Sequence, residues 1–124
     1  MARLLIVEDD LATQFLMSEF VAQLGHDGDV IGDGRACFDL LMARPGHYDL
    51  VLMDIHMPGL TGLDAAMMIR NAGGDQARTI PIVAVTADVS YSKADDVASH
   101  GIDGVLQKPL GLSDLHDAIQ RYLA

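Results

Sequence analysis

Three tetrapeptides, Leu4–Val7 (LLIV), Leu50–Met53 (LVLM) and Ile82–Val85 (IVAV), are apolar without interruption. A strand with one wet face alternates apolar and polar residues. Continuous runs of this length suit strands covered on both faces, as in a parallel sheet. Two weaker strands are predicted near Gly28–Ile31 and Gly104–Leu106.

The segments between the runs carry helical spacing. Leu16, Met17, Phe20, Val21 and Leu24 form one stripe, with Gly25 as its C-terminal stop. Ala36, Cys37, Leu40 and Leu41 form a second, ended by Pro45–Gly46. Ala65, Ala66 and Ile69 mark a third helix before Gly73–Gly74, and Ala94, Val97 and Ala98 a shorter fourth before Gly101. Leu115, Ile119, Tyr122 and Leu123 mark a fifth, with Ser113 as its expected cap. Strand–helix alternation five times over implies an α/β fold. The expected architecture is a flavodoxin-like, doubly wound, five-stranded parallel sheet of order 2-1-3-4-5, with five helices on both faces. The most apolar strands, 1, 3 and 4, take the centre. Residues 1–124 read as one domain, with a core that needs no disulfide or metal staple. Hydrophobic residues make up 50% but aromatics only 5%, so that core is aliphatic.

Charge removes several function classes. Eighteen acidic residues face eight basic ones, a formal charge of −10. Direct nucleic-acid binding needs cations to neutralise phosphates, and an anionic membrane surface would repel such a chain. The N-terminal apolar run is too short for a signal peptide or a membrane span. The single cysteine, Cys37, excludes an intrachain disulfide. A soluble protein in the reducing cytoplasm is expected.

In open α/β sheets, chemistry collects at the carboxyl ends of the strands. Strand 1 ends in Glu8, Asp9 and Asp10, strand 3 in Asp54, strand 4 in Thr86, Ala87 and Asp88, and strand 5 in Lys108 and Pro109. Asp10 reads as the N-cap of the first helix. Glu8, Asp9 and Asp54 should converge, and clustered carboxylates repel unless a cation binds or one is protonated. Lys108 supplies one positive charge against three negative ones. Mg²⁺ (or Mn²⁺) supplies the rest, since Mg²⁺ binds through one or two carboxylates plus a phosphate oxygen. The Thr86 hydroxyl, the Ala87 amide and Lys108 can each meet a phosphoryl oxygen, and Asp54 is the natural covalent acceptor. His26, His47, His100 and His116 show no metal-binding spacing and read as surface residues.

The segments LLIVEDD, DLVLMDIHMPGLTG, IPIVAVTAD and LQKPL together resemble the receiver domain of two-component response regulators, across nearly the whole chain. TAD and IPIVAVTADV are most similar to receivers of hybrid sensor kinases and phosphorelays. The resemblance implies that Glu8 and Asp9 are the acidic pair and Asp54 the phosphorylated aspartate. Thr86 becomes the switch hydroxyl, Lys108 the site lysine, and the His56 backbone carbonyl a third protein ligand for the metal. It implies a cis Lys108–Pro109 bond and a histidine kinase or histidine phosphotransfer protein as phosphodonor. It also implies a downstream protein target that reads a face built from the fourth helix, strand 5 and the fifth helix.

Three departures from the family pattern stand out. The position three residues before Lys108, often Tyr or Phe, is Val105, so coupling through it would involve a smaller side-chain movement. His56 and Asp88, two residues after Asp54 and Thr86, are placed to pair across the entrance and hinder hydrolysis. No output domain is read within residues 1–124.

Other readings fit less well. An aspartate-nucleophile phosphohydrolase wants a second acid where His56 stands. A flavin or nucleotide module wants a phosphate loop where EDDLATQ stands. A degenerate receiver is opposed by the intact Asp9, Asp54, Thr86 and Lys108.

Overall fold

The computed structural model describes residues 2–72, 74, 79–87 and 98–123. Its elements run β1 (Arg3–Val7), α1 (Leu11–Gln23), β2 (Asp27–Ile31), α2 (Gly34–Ala43), β3 (Leu50–Asp54), α3 (Gly62–Asn71), β4 (Ile82–Thr86), β5 (Gly104–Gln107) and α4 (Leu112–Leu123). The strands form one sheet of order β2-β1-β3-β4-β5, every pair parallel. This is the expected order. Four helices are described where five were expected. The segment expected to be the fourth falls mainly on residues 88–97, which lie outside the described residues together with Asp88 and Tyr91.

Burial follows the apolar runs. Every residue of β3 and β4 is buried, and so are Leu4–Val7 of β1. Alternate residues of each strand feed two separate cores. One lies against α2 and α3 and contains Leu5, Val7, Val51, Met53, Ile82 and Ala84. The other lies against α1 and α4 and contains Leu4, Ile6, Leu50, Leu52, Val83 and Val85. The outer strands are less covered. β5 is half-buried and, among the described strands, pairs only with β4. Exposed Asp27 guards the β2 edge, where charge discourages strand addition.

Local signals set the helix ends. The Asp10 carboxylate accepts from the Thr13 amide at 2.9 Å, capping α1 as expected. Gly25, at φ 83, closes α1: its amide donates to the Ala22 carbonyl and the next amide, of His26, to that of Val21. Ser113 is not the cap of the last helix. It lies inside α4, and the Asp114 carboxylate reaches back to the Gly111 amide at 3.1 Å instead. An acid three residues into a helix serves the preceding amide as well as a cap hydroxyl serves a later one. Leu16, expected in the buried stripe of α1, is exposed, while Met17 and Val21 carry the packing. His26 is half-buried, and its Nδ1 accepts the Ala2 amide at 2.9 Å. Among the described residues, no helix is long and apolar enough to cross a membrane.

Candidate functional site

The carboxyl ends of β1, β3, β4 and β5 meet at one edge of the sheet. Glu8, Asp9 and Asp54 each present an oxygen there, all within 4.8 Å of one another. Glu8 and Asp54 are buried and Asp9 is exposed. The Lys108 ammonium lies between the two buried acids, 3.1 Å from Glu8 Oε2 and 3.5 Å from Asp54 Oδ2. It reaches them because the Lys108 amide continues the β4–β5 ladder, donating to the Thr86 carbonyl at 2.8 Å. The Lys108–Pro109 peptide is cis.

Each carboxylate has its own hold. Asp54 Oδ1 accepts the amide of His56 at 3.1 Å, so the turn after β3 orients the acid that ends it. Glu8 Oε1 accepts the Asp10 amide at 3.1 Å, and the Gln14 side chain donates to the Glu8 carbonyl. Thr86 is fully buried at the end of β4, while Ala87 and the His56 side chain face solvent. Val105 is half-buried and packs against the core layer under α2 and α3. Asp88 lies outside the described residues.

Burial pushes the Glu8 carboxyl above its ordinary range, with the Asp54 charge adding to the rise; the Asp10 amide and Lys108 work against both. Burial alone would depress the Lys108 ammonium, but its hydrogen bond to Glu8 and the charges of Asp54 and Glu8 prevail and raise it. Lys108 therefore stays charged at neutral pH. The folded protein holds a proton on Glu8 more tightly than the unfolded chain does. Ionising Glu8 above its folded pKa thus costs stability, and a cation at the cluster returns it. A set of hard oxygens with more negative charge than one ammonium can balance fits Mg²⁺.

Gly62 belongs to this site although the sequence reading passed over it. It opens α3 behind the Thr61 cap, and its amide donates to the Ile55 carbonyl at 2.9 Å. A Cβ here would overlap the Asp54 carbonyl oxygen and lie 2.8 Å from Ile55 Cα. The available signal was a glycine, a poor helix former, at the first helical position after a threonine cap. Because the obstruction is backbone, Gly62→Ala should cost about 1–3 kcal/mol in urea unfolding. It should also displace the Asp54 turn, seen as a shifted His56 amide resonance; an unshifted resonance would disprove the coupling.

Residues 4–120 match the model of the response regulator receiver domain. The chain belongs to this family. The receiver is 37% identical over 120 residues to the hybrid signal transduction histidine kinase G of Dictyostelium discoideum. It is 35% identical over 118 residues to the Aerobic respiration control sensor protein ArcB of Escherichia coli, and 35% over 119 residues to the transcription factor SKN7 of Saccharomyces cerevisiae. These matches cover 97%, 95% and 96% of the receiver but only 4%, 15% and 18% of the relatives. Among solved structures, the receiver domain of a Pseudomonas aeruginosa sensor histidine kinase superposes with a TM-score of 0.87 at 27% identity, covering 98% of this chain and 97% of that one. That structure has a magnesium ion coordinated in its active-site cleft. The Vibrio cholerae chemotaxis protein CheY4 matches with a TM-score of 0.87 at 25% identity, over 98% of both chains.

Proposed function

We propose that this receiver takes a phosphoryl group from a phosphohistidine onto Asp54 and works as a conformational switch. The observation that carries the reading is the Lys108 ammonium shared between buried Glu8 and Asp54, beside Asp9. Glu8, Asp9, Asp54 and the His56 backbone carbonyl would hold Mg²⁺ (or Mn²⁺). When bound, the metal neutralises charge on the transferring group. An Asp54 carboxylate oxygen attacks phosphorus, the phosphorus–nitrogen bond of the donor breaks, and its electron pair leaves on the imidazole. Lys108, the Ala87 amide and the Thr86 hydroxyl then hold the phosphoryl oxygens. Drawing buried Thr86 towards the phosphoryl group shifts a two-state equilibrium. The readout is the face formed by β5, the C-terminal helix α4 and the preceding segment expected to be helical. The chain catalyses its own phosphorylation and slow dephosphorylation and no other reaction.

The donor is a histidine kinase or histidine phosphotransfer protein, as the name of the Dictyostelium discoideum relative supports. A cytoplasmic location suits the single, buried Cys37. The outer face of α1 gives such a donor an apolar surface beside the site, with Leu11 77% and Phe15 68% exposed. Phe15→Ser should slow transfer from a phosphohistidine protein about tenfold, or ~1.4 kcal/mol, and leave uptake from acetyl phosphate unchanged. Equal slowing with both donors would show that Phe15 serves the fold instead.

The test of the function is intact mass after incubation with acetyl phosphate, with and without Mg²⁺. One added phosphoryl group that requires the metal supports the reading. No adduct from acetyl phosphate or from a phosphohistidine protein overturns it. The decay of that adduct tests His56 and Asp88. If they pair over the acyl phosphate and hinder water, His56→Ala and Asp88→Ala each shorten its lifetime about threefold, less than the ~1.4 kcal/mol of a tenfold effect. An unchanged lifetime in both variants disproves the shielding.

A further inference from the structure

Lys108 reaches the carboxylates from the end of β5, an edge strand. It is four residues long, half-buried and, among the described residues, paired to β4 alone. Its start, by contrast, is held from both faces of the sheet. On one face the Arg70 guanidinium, at the end of α3, donates to the Gly101 carbonyl at 2.9 Å and to Asp103 Oδ2 at 3.0 Å. The same Asp103 oxygen accepts the Ile82 amide at 2.8 Å, and the Asp103 amide donates back to the Ile82 carbonyl at 2.8 Å. On the other face the Tyr122 hydroxyl donates to the Asp103 carbonyl at 3.1 Å and lies where a Cβ on Gly104 would stand.

Arg70 is an expensive choice for this place. Its side chain is only 16% exposed, and a desolvated cation needs full pairing. What it gains is connection. α3 starts with Gly62 pressed on the Asp54 carbonyl and ends in Arg70 gripping the entry to β5. β5 in turn delivers Lys108 to Asp54. The end of β3, the rod of α3, the Arg70–Asp103 pair and β5 thus form a closed ring.

We propose that Arg70 is a positioning residue for Lys108: by fixing the start of β5 against α3 and β4, it sets where the far end of β5 places the ammonium. The role rests on the phosphoryl-transfer reading above, and one arm of its test does not. Glu8, Asp9 and Asp54 lie at the ends of β1 and β3, so loosening β5 spares the metal cluster and misplaces the cation. Misplacement by a fraction of an ångström is enough to slow a reaction that depends on alignment.

The experiment uses the full chain as wild type, Arg70→Met and Arg70→Lys. In Arg70→Met the rate of uptake from acetyl phosphate at saturating Mg²⁺ should fall roughly five- to tenfold. The Mg²⁺ midpoint should move less than about twofold, because its ligands are not displaced. Arg70→Lys, which keeps a charge for Asp103, should recover most of the rate. The chain has two lysines, Lys93 and Lys108, so protein labelled with lysine carrying carbon-13 at Cε alone shows two side-chain carbon signals. The Lys108 signal should shift in Arg70→Met, whether or not phosphorylation occurs. A wild-type rate and an unmoved Lys108 signal alongside a lower melting temperature would reduce Arg70 to a stabilising residue. Should Arg70→Met not fold, Asp103→Asn removes the charge Arg70 pairs with at constant volume and is read the same way. A wild-type protein that takes up no phosphoryl group fails the functional reading; the Lys108 signal still decides the positioning.

Discussion

Asp54→Ala should take up no phosphoryl group from acetyl phosphate at any Mg²⁺ concentration, and it should fold at least as stably as the wild type when metal is absent. The first half follows from what the neighbouring acids are doing. Glu8 has Oε1 on the Asp10 amide and Oε2 in a 3.1 Å hydrogen bond with Lys108, and burial inclines its carboxyl to hold a proton, which makes it the poorer nucleophile. Asp9 is exposed, and its hydration competes with attack. Asp54 is buried with Oδ1 oriented by the His56 amide, and its Oδ2 stands 3.5 Å from Lys108, a looser contact than the 3.1 Å one that engages Glu8. The second half follows from charge. The Asp54 carboxylate raises the proton affinity of Glu8, so removing it eases ionisation of Glu8 and leaves Lys108 to a single partner. Ionised Glu8 then costs the fold less at neutral pH. The same loss would take one of the four proposed oxygen ligands from the metal, so the rise in melting temperature on adding Mg²⁺ should shrink. Asp54→Asn, which keeps an acceptor for the His56 amide, controls for a collapsed turn. An adduct that persists in both variants would place the phosphorylation elsewhere.

The sheet and the acidic cluster were legible in the sequence for one reason. Leu4–Val7, Leu50–Met53 and Ile82–Val85 are covered on both faces, and such strands leave an unbroken apolar run that ends where chemistry can begin. Glu8, Asp54 and Thr86 each stand one residue past such a run, and Lys108 two residues past the weaker strand predicted at Gly104–Leu106. What escaped has no local signature. Arg70 and Asp103 are thirty-three residues apart, and neither sits in a pattern that names the other. Gly62 matters for the atoms it lacks, against a backbone eight residues earlier. Leu16 has the spacing of a buried residue, yet Met17 and Val21, with Phe20 and Leu24 packed beside them, already fill the groove under α1. The Ser113 assignment failed because a helix start can be closed by a hydroxyl before it or an acid within it, and Asp114 takes that part here.

Removing Lys108 should separate its two duties, since one can be replaced by metal and the other cannot. In metal-free protein, Lys108→Ala leaves Glu8, 1% exposed, with the Asp10 amide but without a countercharge. Breaking a buried pair from one side typically costs about 3–5 kcal/mol. The lower end of that range applies, because the Lys108 side chain is itself 24% exposed and water follows it out. Urea unfolding without metal should therefore show a loss of roughly 3 kcal/mol. Saturating Mg²⁺ should restore most of it, as a ligand at a hundredfold excess over its dissociation constant contributes about 2.7 kcal/mol. The rate of phosphoryl uptake should not return. A fixed cation aimed at developing phosphoryl charge is worth roughly 10²–10³ in rate, and metal at the carboxylates does not fill that position. The double variant Glu8→Gln with Lys108→Ala completes the separation: with Asp54 the one carboxylate of the pair left without its countercharge, it should recover part of the stability without metal yet remain slow. Stability that stays low in Mg²⁺, or a rate that returns with it, would show that Lys108 does not hold the two roles assigned to it.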